Sequence, residues 1–302
     1  MALAFNTDFD PQHGSAVPVA PNVARVTAPN SSSFTFHGTN SYLIGTRSLA
    51  IIDPGPLDET HFEALMQAID GRPVDAIILT HTHLDHTPLT QKLKQATGAD
   101  VYAQGPHRAY RELDEAETAR LGRSADLAFM PDHHMQDGDT VSGHDWELEA
   151  VHTPGHTANH IALSLHGTEL MFSGDHVMGW STTIVAPPDG SMTDYLRSLE
   201  RLLARPQSHY LPGHGDTIPK AHAYVKGLKT HRLMRESAIM RQLDKGVTSI
   251  SELVVRLYRT TPEHLHGAAA MTVLAHLEAL VENGKAVASD TPATLESSFT
   301  PR

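Results

Sequence analysis

The feature that most constrains this chain is a junction near residue 80. A short, wholly apolar run, Ala76–Leu79, is followed at once by His81-Thr82-His83-Leu84-Asp85-His86. A run of that length and character reads as a strand buried on both faces. Two histidines at i and i+2 of an extended or looping segment can point to one side and share a metal. Asp85 and His86, past the turn, can face a second one. Four potential ligands within six residues at a strand-to-helix junction are not a core-packing pattern. Thr87 as N-cap, Pro88 at the first helical position and Gly98 at the C-terminal cap predict a helix between them.

Three isolated residues extend the cluster. His156 follows the predicted strand 146–151 in Thr-Pro-Gly-His-Thr, Asp175 follows strand 170–172 in Phe-Ser-Gly-Asp, and His214 follows a short strand around Tyr210 in Pro-Gly-His-Gly. Each sits beyond a strand end with glycine beside it, where backbone freedom lets a side chain turn toward a shared site. These positions matter more than the total of 22 histidines, most of which belong on the surface or in satisfied core sites.

Elsewhere the pattern alternates between strands and helices. Phe34–Phe36, Asn40–Ile44 and Leu49–Ile52 read as strands, and residues 58–70 as a helix closed by Gly71 and Pro73. Residues 107–127 are weakly helical. Ile161–Leu165 is a further strand, and 194–204 and 219–242 are helices. The interleaving suits helices packed outside two sheets. Residues 1–242 are expected to form the main domain. Residues 243–290 form a small unit of two helices (249–259 and 268–282) and a strand near Lys285–Ala288, and 291–302 a frayed polar tail.

The chain of 302 residues has 40% hydrophobic residues, enough for a sizeable core, and no cysteine, which excludes disulfides, thiolate nucleophiles and Cys-ligated zinc. The opening MALAFNTDFDPQHG lacks the basic flank and apolar run of a secretory signal, and no uninterrupted apolar stretch reaches membrane-spanning length. A soluble, cytoplasmic protein with no membrane partner is expected.

In this order and wording, the motifs resemble the metallo-β-lactamase superfamily over most of residues 20–230. The resemblance implies an α+β fold, the αββα sandwich. It implies that His81, His83 and His156 hold one metal and Asp85, His86 and His214 the other. Asp175 would bridge them, and Asp85 and Asp175 would be the catalytic acids. Asp53, in Ile-Ile-Asp-Pro-Gly, resembles the family's first motif, an acid that orients a ligand histidine. Imidazole and carboxylate donors suit two divalent ions, zinc first, with iron or manganese as alternatives. A metal-bridging hydroxide would then attack a carbonyl or phosphorus centre. The true β-lactamases of the superfamily lack the bridging aspartate. A mononuclear iron dioxygenase of the same fold could reuse His81, His83, His156 and Asp175.

Longer stretches resemble one branch, the β-lactamase-like protein 2 group. They include His-Thr-His-Leu-Asp-His-Thr-Pro, Phe-Ser-Gly-Asp-His-Val-Met-Gly-Trp-Ser-Thr-Thr-Ile-Val and His231-Arg232-Leu-Met-Arg235-Glu236. The terminal unit resembles that group's winged-helix-like domain. The branch implies either an ester or thioester hydrolase or a metal-dependent single-strand endoribonuclease. A regulatory metal-binding module without catalysis is the non-enzyme alternative.

Charge divides these readings. The formal net charge is −12, which disfavours nucleic-acid backbones unless basic residues gather locally. They gather in residues 219–242, where six basic side chains face one acid, a net +5 that leaves −17 for the rest. His231, Arg232 and Arg235 are therefore candidates for gripping RNA phosphates or a small anionic or carbonyl-bearing substrate. The second helix of the terminal unit has no Lys or Arg, so it is no reader of double-stranded DNA and is expected to pack or form a homodimer. His160, His176, Ser181 and Thr182 are further orienting or substrate candidates because they adjoin the metal motifs.

Overall fold

The strands of this chain carry apolar residues on both faces, and the computed structural model, which describes residues 3–302, shows why. In strand order the first sheet is β1 (Val17–Ala20), β2 (Val23–Thr27), β3 (Asn40–Ile44), β4 (Leu49–Ile52), β5 (Val74–Ile78), β6 (Asp100–Ala103) and β7 (His133–His134). Helices α1 (Glu59–Ile69), α2 (Thr90–Thr97) and α3 (Glu115–Leu121) are inserted between its later strands. The second sheet contains β8 (Thr140–Ser142), β9 (Glu147–His152), β10 (Ile161–Leu165), β11 (Leu170–Gly174) and β12 (His209–Pro212) in the order β12-β11-β10-β9-β8. Helix α4 (Met192–Leu203) links β11 to β12, which run parallel.

The two-residue period of a strand divides these apolar side chains between cores. Tyr42, Ile44, Ala50, Ile52, Ala76 and Ile78 meet Ile161, Leu163, Phe172 and Leu211 between the sheets. Their alternates Leu43, Leu49, Ile51 and Ile77 face outward under α1 and α2. Ala162, Met171 and Tyr210 face α4 on the other side. A sheet covered on both faces has no place for polar alternation, and the result is the αββα sandwich.

One edge of the sandwich is stitched across the sheets. The Asn40 side chain donates to the carbonyls of Pro212 (3.0 Å) and Gly215 (2.8 Å), and Tyr42 Oη donates to Pro212 (2.7 Å). The Ile161 N–H donates to the Thr80 carbonyl at 2.8 Å. The ends of β3, β5, β10 and β12 are thereby fixed at one edge, where the motif loops emerge.

Helix α5 (Ala221–Leu243) runs from this sandwich into the C-terminal unit of α6 (Ile250–Leu257), α7 (His266–Glu282), β13 (Ala286–Ala288) and β14 (Phe299–Pro301). Its Val225 and Leu228 pack with α4, whereas Ile239 and Leu243 join Leu253, Val273, Leu277 and Leu280 in a separate core.

Several expectations change. Helix α2 begins at Thr90, with Leu89 at the cap position, rather than at Pro88 behind a Thr87 cap, because the Thr87 hydroxyl is bonded to the His83 carbonyl and Asp126 and caps nothing. Residues 107–127 hold only the short α3, started by a reciprocal capping box between Asp114 and Glu117. Phe34–Phe36 lies in a loop, with Phe36 at a positive φ. The tail is not frayed: Phe299–Pro301 pairs antiparallel with Ala286–Ala288, and Phe299 is fully buried. The polar residues before it are a turn, and one aromatic anchor outweighs them.

Phe299→Ala should therefore destabilise the protein by about 3–5 kcal/mol, the usual cost of emptying a buried phenylalanine site. Urea unfolding would check this, and a loss below about 0.5 kcal/mol, the range of ordinary surface substitutions, would contradict it.

Candidate metal centre

The site begins with two parallel strand ends. Ile52 of β4 pairs with Ile78 of β5, which sets Asp53 beside Thr80. Thr80 donates its N–H to Asp53 Oδ1 (2.8 Å) and its hydroxyl to Oδ2 (2.7 Å), and His86 Nδ1 donates to Oδ2 at 2.9 Å. Asp53 is buried, so its charge depends on these three donors.

The loop from Thr80 onward turns its histidines to one centre. His81 Nε2 and His156 Nε2 each lie 3.1 Å from His83 Nδ1. Beside them, His214 Nε2 lies 3.1 Å from Asp85 Oδ2 and 3.2 Å from Asp175 Oδ2. His86 Nε2 is 3.5 Å from both Asp85 Oδ2 and Asp175 Oδ1. Asp175 Oδ2 is also 3.8 Å from His156 Nε2, so this carboxylate stands between the two groups. Within each group the donor atoms lie within 4.8 Å of one another.

The hydrogen-bond network assigns the imidazole protons. His156 Nδ1 donates to the Ile184 carbonyl (2.7 Å), His214 Nδ1 to the Gly38 carbonyl (3.1 Å) and His83 Nε2 to Asp189 Oδ2 (2.8 Å). The Thr80 hydroxyl proton goes to Asp53, so His81 Nδ1 is the donor in its 3.0 Å contact with Thr80. Each outward nitrogen thus carries a hydrogen, and in the neutral ring the inward one has a lone pair. Five inward imidazole nitrogens and two carboxylates converge, and among them His86 Nε2, His214 Nε2 and Asp175 Oδ1 are buried without a hydrogen bond. That donor set fits divalent cations, with outer partners of the kind that orient metal-ligating histidines.

Gly213 has a steric role here. A Cβ at that position would come within 2.3 Å of Asp175 Oδ1 and 2.9 Å of His86 Cε1. The glycine makes room for two donors, a stricter demand than the backbone freedom its sequence context suggests.

The profile of the metallo-beta-lactamase superfamily matches residues 34–214, and that of the beta-lactamase associated winged helix domain matches residues 249–294. The chain belongs to the metallo-beta-lactamase superfamily. It is similar to a beta-lactamase-like protein 2 homolog of Drosophila melanogaster, at 31% identity over 87% of this chain and 89% of the relative. An atrochrysone carboxyl ACP thioesterase of Aspergillus chevalieri is 28% identical over 81% of this chain and 76% of its own. A beta-lactamase domain protein of Burkholderia ambifaria has a similar fold, with a TM-score of 0.80 at 22% identity and coverage of 98% of this chain and 96% of that one. As a superfamily member with these relatives, the chain is a metal-dependent hydrolase, which displaces the non-catalytic alternative.

The superfamily centre is electrostatically divided. Burial, with neighbouring histidines, holds His81 well below its usual pKa and His156 at about 4, so both are neutral. Burial opposes protonation of His86 and His214 as well. Asp85, Asp53 and Asp175 nevertheless outweigh it and raise His86 to about 9, and Asp175 and Asp85 hold His214 well above its ordinary value. Without metal, protons on this pair balance the carboxylates.

Other candidates divide by position. Ser181 and Thr182 line a cleft of about 680 Å³ that also reaches His83, Asp85, His156 and Asp175. His160 and His176 are fully buried behind the inward donors, His160 tied to Thr153 Oγ1 (2.8 Å) and His176 tilted against the Tyr195 ring (centroids 4.5 Å apart), so neither can meet substrate. The basic residues of α5 do not line this cleft. Arg232 is buried, Arg235 lies over the Tyr258 ring (4.1 Å) and donates to the Leu257 carbonyl, and Lys229 pairs with Glu200. His231 is partly buried beside them. Their common cause is that α5 is a packing helix between two cores. The sequence reading missed Asp189, the partner of His83, and His107, whose Nε2 lies 3.4 Å from Asp189 Oδ1. Its setting in Pro187-Pro188-Asp189-Gly190, shortly after the Asp175 motif, was the available signal for Asp189.

Two outcomes follow from this centre. Asp53→Asn should weaken divalent-metal binding by about 10- to 100-fold, as loss of an outer partner does, with chelator competition as the measurement. In metal-free protein, His86 contributes stability in full below its unfolded pKa of about 6.5, and that contribution is lost as pH rises through about 9. Urea midpoints of chelator-treated protein should fall across that window, and a flat profile would refute the assignment.

Proposed function

We propose that this chain is a dinuclear-metal hydrolase acting on ester or thioester bonds of a small acyl substrate. His81, His83 and His156 would hold one ion, Asp85, His86 and His214 the other, and Asp175 both. The observation carrying this reading is the convergence of five inward imidazole nitrogens, each ring held by an outward hydrogen bond. Imidazole and carboxylate donors without thiolate favour zinc, with iron or manganese as the alternatives. When bound, the ions supply a water acidified to near neutral pH and positive charge for a developing oxyanion.

The chain's own residues do the rest. The cleft walls carry Phe34, Met178, Trp180, Ile184 and Met271, an apolar surface suited to an acyl group, with Arg120 and Arg123 at the same cleft for an anionic end of the substrate. Those walls would hold the substrate carbonyl toward Asp175 and His156. Asp189, against His83 and His107 at the cleft edge, keeps His83 turned inward. The likeness to the fungal ACP thioesterase favours a thioester among these substrates. Single-strand RNA is disfavoured because Arg232 and Arg235, the arginines of α5 that would grip it, are committed within the fold.

The test is thiol release from a series of acyl thioesters by metal-loaded protein beside Asp175→Asn purified identically. The chain has no cysteine, so the released thiol is the only one detected. Asp175→Asn should lower the rate by more than about 100-fold, the upper range for losing an outer partner alone, while the fold is kept. Equal rates in the two proteins, or cleavage of labelled RNA but of no thioester, would overturn the proposal.

A further inference from the structure

Helix α5 places an arginine where its pattern calls for an apolar residue. Val225, Leu228, Arg232, Ile239 and Leu243 form its buried stripe, and Arg232 is only 3% exposed. None of the ion pairs among the described residues includes it, so its burial is not explained by a carboxylate. Its guanidinium donates instead to the Thr183 carbonyl and lies 5.3 Å from the Tyr195 ring centre. A guanidinium withdrawn from water in this way is costly unless its hydrogen bonds serve a defined arrangement.

That arrangement reaches the metal centre within two residues. The Thr183 hydroxyl donates to the backbone carbonyl of Asp175, and lies 3.3 Å from that of His176. The next residue, Ile184, supplies the carbonyl that accepts from His156 Nδ1. Tyr195, against the same arginine, donates its hydroxyl to the His176 carbonyl at 3.1 Å. Arg232 thus clamps the short segment that orients both the shared carboxylate and one histidine of the three-histidine group.

We infer that Arg232 is a positioning residue for the metal centre, acting through Thr183 and Ile184 on Asp175 and His156. The inference rests on the metal-binding reading above and adds that a side chain of α5, outside the motif loops, sets metal affinity.

Zinc affinity, measured by competition with a chromophoric chelator, tests it on the full chain. Arg232→Met and Thr183→Val should each bind zinc at least about 10-fold more weakly, the lower range for loss of an outer-shell partner. Arg232→Lys should recover part of that loss. Arg235→Met, which removes a stack on Tyr258 in the C-terminal unit, should leave zinc affinity unchanged, so general destabilisation cannot mimic the effect. Folded Arg232→Met and Thr183→Val proteins that hold zinc as tightly as the parent would overturn the inference and leave the hydrolase reading intact. If Arg232→Met does not fold, Thr183→Val decides alone. A parent protein that takes up no zinc, iron or manganese would overturn both readings.

Discussion

The buried carboxylate of Asp53 is the interaction on which the rest of the site depends. It accepts from His86 directly and from the Thr80 hydroxyl, whose oxygen in turn accepts from His81. One acid therefore fixes a histidine in each of the two donor groups. It can do so because β4 and β5 are parallel neighbours ending in register, so that residues 27 apart in sequence meet. A carboxylate with fewer donors would be too costly to bury, and the same three bonds that orient the histidines also satisfy the acid.

A second layer of control comes from the segment between Trp180 and Gly190. Thr183 bonds to the backbone at Asp175, Ile184 accepts from His156, and Asp189 accepts from His83. Three of the seven inward donors thus answer to one connector, whose other side faces the cleft. Cleft-lining side chains and the atoms that orient the donors therefore share one short segment.

Much of this was legible in the sequence because strand burial and ligand clustering leave short-range marks. The Ala76–Leu79 run, the six residues after it and the glycine-flanked His156, Asp175 and His214 announce themselves without tertiary information. Helices outside two sheets followed from the interleaving of strands and helices, and the αββα sandwich from the family resemblance. What escaped was decided by partners distant in sequence. Thr87 looked like a cap because its competition with Asp126 is tertiary. The charges of α5 looked like a surface grip because composition cannot tell which side of a helix faces a core. The tail looked frayed because a single phenylalanine among polar residues carries little weight until a core with a vacancy of its shape is known. Asp189 escaped for the same reason, since its partner His83 lies 106 residues away.

Met271, which lines the cleft, belongs to α7 and so to the C-terminal unit rather than to the sandwich that carries every inward donor. The cleft wall is therefore assembled from both parts of the chain, while every inward donor comes from one. A substitution at Met271 can reshape the cleft without touching an inward donor or its hydrogen-bond partners. A helix that looks, from its own sequence, like mere scaffolding thus shares in the shape of the site.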